Sequence, residues 1–587
     1  MSLDRRRFAA LDGSPLAVAA IATATLRRHL DDHSAVALSR LLRAAPSGVR
    51  TVVARAARRS SGSWAPLALA AAGHREQATA AILRSATTRR RRPGAAAVAL
   101  ATHDGEAALE LIDLCDDDSA DDRYARALCL RTLGFLTEAE DAIASERSAR
   151  ARALRRRLKS ELAVLGPTGR PPLAAEADHD ARSRASADPL VLHMVTNALP
   201  EVQAGYTTRT QGIVRAQRSI GVDARVAPRV GFPVTEGHLR ARSAVTVDGV
   251  PYHRALPFGL PVDVAALVEA DAAARGRLAR ELGATVLHAH SNYLNARAAL
   301  AERDLTGTPV IYEVRGMLEE TWRSRGGDAA ADRYRLSRAS ETEAMLAADA
   351  VVVISEVLRA EVISRGVPEG RVVLVPNAVD DRFLQKPPDA AALRQRLGIR
   401  SDEVVIGTVT TLNDYEGLVT LVDAVGILRE AGHDVRLLVV GSGPAAGRVE
   451  RRASALGKGV AVLPGRVPFA EVHSYHAAID VFAVPRLDLP VTGLVPPLKP
   501  LEAMATGRPV VASDLPPLRE IVRPGATGDL AAAGDAASLA GALAPLVSDA
   551  DRRGALGAAA RDWVHAERTW RRAAERYRDL YHRLGVG

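Results

Sequence analysis

Lys499 and Glu502 stand one helical turn apart in the stretch Leu494 to Pro509, which reads LVPPLKPLEAMATGRP. Pro496, Pro497 and Pro500 hold an extended loop and suit the first turn of a helix, where the N–H that proline lacks has no partner to find. A short apolar helix, Leu501 to Ala505, follows and stops at Gly507. Its first turn offers free amides and a positive dipole end to an anion. Lys499 sits at the mouth, and Glu502 lies one turn in, placed to accept from a ligand hydroxyl. A proline-stiffened connection with a solvated lysine is the plainer reading of so short a motif.

Three weaker signals accompany it. Gly441-Ser442-Gly443-Pro444 follows a strand-like run, so Gly441 and Gly443 form a tight turn that a ligand can approach closely; the downstream acid of a dinucleotide fingerprint is missing. Gly205 and Tyr206 precede a helix and make a second potential anion cradle. His288-Ala289-His290 closes a strand. Read as facing opposite ways, the pair does not suggest a two-histidine metal site; His290 is taken to face the cleft and His288 to be a satisfied core residue.

The elements that must position these residues fall into four parts. Residues 1–165 are rich in Ala, Leu and Arg with helical periodicity. A weak repeat at Gly73–Ala78, His103–Ala108 and Gly134–Ala139 suggests degenerate tetratricopeptide-like hairpins. Two basic patches occur there, Arg89–Arg92 and the run from Arg147 to Lys159, and a solvated face explains them better than lipid binding. Residues 166–188 are polar, aperiodic and proline-containing, a linker. From 189 onward short apolar runs alternate with helical segments, then the pattern restarts after Pro376-Asn377. This predicts an α/β fold of two tandem doubly wound parallel-sheet units, residues 189–378 and 379–565. A closing helix over 566–587, part of a long helical run from Arg552 to Leu584, is expected to pack back on the first unit.

Composition sets broad limits. At 587 residues the chain exceeds one core, and 47% apolar with 25% charged residues is ordinary for a globular protein. The net charge of +9 mildly favours acidic partners, yet no nucleic-acid motif supports a nucleic-acid partner. Two cysteines make neither a disulfide framework nor a cysteine metal site. No apolar run reaches a membrane span, and the arginine-rich start lacks a signal core, so a cytoplasmic protein is expected.

From about residue 190 the ordered pieces LPEVQAGYTTRT, VLHAHSNYLNARAAL, VIYEVRGMLEETW, VVVISE, VLVPNAVDDRF, YEGL, VVGSGP, LPGRVP, DVFAVPR, PLKPLEAMATGRPVVASDLPPLREIV and PGATG resemble the retaining family-4 glycosyltransferases of the GT-B fold. The YEVRG, YEG and PLKPLEAMA pieces look like an envelope or exopolysaccharide branch. The resemblance implies a UDP- or GDP-sugar donor, a saccharide or lipid-linked acceptor, and no metal or other cofactor. It places Glu502 on the ribose with Leu501 beside it, and Val467 against the base. Lys499 and the backbone at Gly205 and Tyr206 would face the diphosphate, His290 the donor sugar near its anomeric carbon, and Arg315 the cleft floor. It also implies departures. Where the family sets an arginine and a lysine on the diphosphate, this chain has Thr411 and Glu416, with Lys499, Arg209 and Arg486 as substitutes. A family glutamate is absent from Thr492-Gly493-Leu494, leaving backbone groups or Asp488 for the sugar. The competing expectation is a degenerate transferase acting as a scaffold, its N-terminal helices recruiting protein partners; peripheral contact with an anionic membrane is a further expectation from the charge.

Overall fold

The computed structural model describes residues 14–31, 47–57, single positions between 65 and 81, 119–170 and 189–586. The first two repeat copies, the four arginines at 89–92 and most of the linker lie outside these residues.

The helical part begins with α1 (Pro15–Asp31), whose Val18 and Ile21 pack on Val230, Val234 and Leu256 of the first α/β unit. Helices α2 (Ala120–Leu133), α3 (Leu136–Ala142) and α4 (Ala149–Leu165) form a small bundle on that unit's flank. The third repeat copy shows why a small residue stands there. Gly134 ends α2 in the left-handed conformation (φ 91°), and a Cβ on it would meet Arg333 at 2.9 Å and Trp322 at 3.0 Å. The basic run on α4 is largely self-paired: Arg150 with Asp121, Arg157 with Glu161 at 3.2 Å, Lys159 with Glu140 at 3.4 Å, and Arg155 on the Ala144 carbonyl at 2.7 Å.

The first sheet contains β1 (Leu190–Val195), β2 (Asp223–Pro228), β3 (Ala244–Val247), β4 (Val250–His253), β5 (Val286–His290), β6 (Val310–Val314), β7 (Ala350–Val353) and β8 (Val372–Leu374). Their order is β3-β4-β2-β1-β5-β6-β7-β8, parallel except for the β3–β4 hairpin. The second sheet contains β9 (Val404–Val409), β10 (Val435–Val440), β11 (Ala461–Gly465), β12 (Val481–Val484), β13 (Val510–Ser513) and β14 (Gly528–Ala531), in the order β11-β10-β9-β12-β13-β14 and all parallel. Near-continuous Val, Leu and Ala runs suit strands covered on both faces, and the burial of β5, β6, β7 and β12 is complete along their length. Strand order reverses between β1 and β5 and again between β9 and β12, and the crevices at such switch points are where doubly wound sheets bind ligands.

Helix α5 (Gly205–Ser219) follows β1, and α6 (Tyr293–Thr306) follows β5. In the second unit α7 (Leu418–Glu430) follows β9 and α8 (Lys499–Ala505) precedes β13. The expected closing helix is two helices, α9 (Ala550–Glu567) and α10 (Trp570–Arg583). The break has a local cause. Thr569 caps α10 by accepting from Arg572 N, and the Arg568 carbonyl accepts from Val379 N at 2.9 Å. The two chain crossings between the units are thereby tied to each other. Helix α10 then buries Trp570, Tyr577 and Tyr581 in the first unit's core. Gly212 of α5 makes room for it, since a Cβ there would lie 2.4 Å from the Trp570 ring.

Candidate functional site

The floor of the first unit is a buried polar network built on strand ends. Residues two apart on a strand share a face, so His288 and His290 do not diverge as the sequence reading supposed. Their rings stack at 4.4 Å with His193 of β1 beside them. His290 is 2% exposed; its Nε2 is 2.8 Å from His193 Nδ1, and its Nδ1 is 3.5 Å from Glu313. The three imidazoles offer nitrogens within 4.8 Å of one another. The His290 ring lies 13° from parallel with His288 and 23° from parallel with His193, and His193 spends both nitrogens on His290 and Gln217. His193 and His290 are thus joined by a hydrogen bond, and His288 stacks on His290.

Glu313, at the end of β6, gathers this floor. Its Oε1 accepts from Arg209 Nε (2.9 Å) and Arg315 Nε (2.6 Å), and its Oε2 accepts from the Tyr577 hydroxyl and lies 3.1 Å from His288 Nε2. Burial alone would raise this carboxyl; Arg209 and Arg315 instead hold it well below the usual carboxylate range. Burial pushes His193 and His290 well below the usual histidine value, so both are neutral. Arg209 is fully engaged, with further bonds to the Val375 and Pro376 carbonyls and to Asn377. It lies under the cleft and not at its surface. Arg315 is different: its Nη1 donates to the Tyr206 carbonyl (2.8 Å) and to Thr210 (2.9 Å), while its buried Nη2 has no partner.

The second unit presents Lys499, Arg486 and Glu416 together. Lys499 Nζ is 2.7 Å from Glu416 Oε1, and Arg486 Nη2 donates to the same oxygen at 3.2 Å. Glu416 is 4% exposed; burial would raise it, but Lys499 and Arg486 bring it down to about 2. Lys499 is lowered by burial, with Glu416 acting in the opposite direction. Glu502 sits beyond it, partly open and 3.5 Å from His476 Nε2. Helix α8 has only seven residues, too few for its dipole alone to define an anion site, so the side chains carry that role.

The two halves meet along Leu494–Leu498. Leu494 and Val495 pack on the first unit's core, Asn377 donates to the Pro496 carbonyl at 3.0 Å, and Val495 lies 3.1 Å from where a Gly316 Cβ would be. Leu498 stands 3.8 Å from the Cβ position of Gly205. This brings Gly205, Tyr206 and Arg315 to the wall opposite Lys499. Tyr206 is 45% exposed there. Leu501 is buried in the second unit's core, and half-buried Val467 follows the turn at Gly465. Gly441 and Gly443 serve a different neighbour from the one expected. Cβ atoms on them would fall 1.7 Å from the Thr410 carbonyl and 2.4 Å from the Leu412 carbonyl, so the glycines admit the chain's own backbone. Thr411 is exposed, and Thr492 is spent on the Leu487 and Leu489 carbonyls. Glu313, His193, Gln217 and Tyr577 escaped the sequence reading. Only Glu313 left a signal, the acid inside the YEVRG string.

Two doubly wound units facing across such a seam, joined by a C-terminal helix that returns to the first, define a GT-B architecture. Residues 204–378 match the family model described as "Glycosyl transferase 4-like domain", and residues 403–549 match "Glycosyl transferases group 1". The chain belongs to this glycosyltransferase family. It is 33% identical over 241 residues to the GDP-mannose-dependent alpha-(1-6)-phosphatidylinositol monomannoside mannosyltransferase of Mycolicibacterium smegmatis, covering 40% of this chain and 62% of that protein. It is 28% identical over 321 residues to the alpha-maltose-1-phosphate synthase of the same organism, covering 52% of this chain and 80% of that protein. This chain thus spans about three fifths of the mannosyltransferase's length. Among solved structures, sucrose-phosphate synthase from Thermosynechococcus elongatus superposes with a TM-score of 0.55 at 21% identity, over 67% of this chain and 99% of that one. Anabaena HepE in complex with UDP gives 0.52 at 18% identity, over 67% and 99%. Both show the fold.

Proposed function

We propose that the protein is a retaining glycosyltransferase that moves a sugar from a UDP- or GDP-sugar to a saccharide or lipid-linked acceptor in cell-envelope or exopolysaccharide synthesis. The observation that carries this is the seam itself: the Gly205–Tyr206 helix start, tied to Arg315, on one wall, and Lys499 with the partly exposed Glu502 on the other. Cations and amides facing an interdomain gap suit a leaving nucleoside diphosphate, whose developing charge is what such a reaction must stabilise. Glu502 would take the ribose hydroxyls with Leu501 behind it, and Val467 would border the base. The relative from M. smegmatis is named as GDP-mannose-dependent, which supports a nucleotide-sugar donor. In this reading no step needs a metal or further cofactor, because protein cations meet the diphosphate. His290 keeps both ring nitrogens turned inward, so its part is to border the sugar pocket.

One observation favours a second reading, a catalytically degenerate scaffold. Thr411 presents no cation, and Glu416 already occupies Lys499 and Arg486. A donor-hydrolysis assay on a panel of UDP-, GDP- and ADP-sugars separates the two. Slow release of one nucleoside diphosphate, lost in Lys499→Ala and Glu502→Ala, supports the transferase. Failure to bind any donor or nucleoside diphosphate supports the scaffold.

A further inference from the structure

The triplet Tyr415-Glu416-Gly417 is fastened at each residue to the end of β12. The Leu487 amide donates to the Tyr415 carbonyl at 3.0 Å, and the Arg486 guanidinium lies 5.9 Å from the Tyr415 ring centroid. Gly417 holds a left-handed φ of 65°, and a Cβ on it would fall 1.8 Å from the Pro485 carbonyl oxygen. The turn is thereby pressed flat against Pro485–Leu487, and Glu416 points at two cations, Arg486 of that same segment and Lys499 at the start of α8.

We propose that Glu416 is a positioning residue of the cleft: its carboxylate fixes the Lys499 side chain, with Arg486 as a second tether, so that the ammonium faces the donor's diphosphate. The inference rests on the reading of Lys499 given above. The geometry supports it in three ways. Glu416 touches Lys499 at 2.7 Å and Arg486 at 3.2 and 3.4 Å, so one buried acid holds two cations that would otherwise repel each other. Arg486 is itself anchored by the Val495 carbonyl at 2.9 Å, on the loop that crosses to the first unit. Lys499 keeps 20% of its side chain exposed, against 6% for Glu416, and an ammonium has three N–H donors of which the carboxylate uses one. The charged groups facing Lys499 are Glu416 from the turn, Arg486 from the β12 end and Glu502 from its own helix. Remove the charge at 416 and a desolvated lysine is left beside an arginine, which favours its neutral form.

The chain contains four lysines, Lys159, Lys386, Lys458 and Lys499. Lysine labelled at 13Cε in the full chain therefore gives a sparse spectrum, with Lys499 assigned by Lys499→Arg. In Glu416→Gln the Lys499 titration midpoint is expected to fall by at least one pH unit. UDP and GDP binding by calorimetry is expected to weaken about tenfold at pH 7.5, and its loss with rising pH should begin at least one unit lower than in wild type. Glu416→Asp keeps the charge and guards against a folding defect; a smaller midpoint shift and about threefold weaker binding are expected. An unmoved Lys499 midpoint in Glu416→Gln overturns the proposal, and so does UDP or GDP binding that stays equal or tightens. A shifted midpoint in a protein that binds neither UDP nor GDP even as wild type would sink the donor reading and the cleft assignment, while leaving the Glu416–Lys499 coupling in place.

Discussion

Glu341 illustrates how far a single buried acid departs from its free behaviour. It is 1% exposed, accepts from Tyr293 N at 3.2 Å and from the Tyr312 hydroxyl, and among the described residues has no cation within salt-bridge reach. Burial, with Glu319 adding to it, raises its carboxyl to about 7. A carboxyl whose folded value exceeds its unfolded value stabilises the fold below about 4.5 and loses that contribution as pH rises through 7. Glu341→Gln is therefore expected to gain on wild type between pH 5 and pH 8, reaching roughly 2 kcal/mol, as read from urea midpoints at each pH. Glu313 has the opposite sign. Its depressed value makes its contribution present above about 4.5 and lost as pH falls below that. Breaking a buried ion-pair cluster costs about 3–5 kcal/mol, so Glu313→Gln should unfold at markedly lower urea at neutral pH, with the gap closing in acid. At the proposed site, losing one charged contact is worth about 1.5–3 kcal/mol. Lys499→Ala should accordingly lower kcat/KM for donor hydrolysis about 10- to 150-fold, together with a lower Tm because buried Glu416 is left with Arg486 alone.

At the scale of elements, turns and helix ends set the site. Gly417 joins the β9 turn to α7 at a position where both the left-handed backbone and the 1.8 Å approach to Pro485 exclude a side chain. Gly417→Ala is expected to cost at least about 2 kcal/mol and to disturb Glu416 next to it, seen as a lower urea midpoint together with weaker UDP binding. Helix α10 reaches the first unit's floor through hydroxyls: Tyr577 donates to Glu313, and Tyr581 accepts from Gln217 at 2.6 Å, which contacts His193. Tyr577→Phe leaves one carboxylate lone pair and Arg209 Nη2 without that partner. A loss of about 1–3 kcal/mol follows, measurable by chemical denaturation.

At the scale of the molecule, the described helices α2–α4 ride on the first unit as part of it. Arg297 of α6 donates to the Val164 carbonyl at 2.6 Å, to Gly166 and to Ser340 at 2.9 Å, and Tyr293 donates to Val164 at 3.2 Å. The helix carrying these anchors starts just after His290. Arg297→Ala is expected to raise hydrogen exchange in α3 and α4 at least tenfold while UDP affinity stays within twofold of wild type, which would place those helices outside donor binding. Among the described residues no helix is long and apolar enough to cross a membrane.

Strand alternation, the restart after Asn377 and the identity of most strands follow from local apolar runs, as β9, β10 and the apolar helix α7 show. The β3–β4 hairpin was equally legible, since Asp248-Gly249 between alternating residues is a strong turn signal, yet it went unread. Local pattern also marked Lys499 and Glu502, and the family resemblance marked the YEG string. It could not say that Glu416 and Lys499, 83 residues apart, form one ion pair, that Arg209 is consumed beneath the floor, or that a tyrosine from the last helix completes Glu313. Those facts depend on which strand ends the two sheets bring together and where the returning helix docks. Periodicity is written within a few residues, whereas pairing of buried charges is decided only once the whole chain has closed around them.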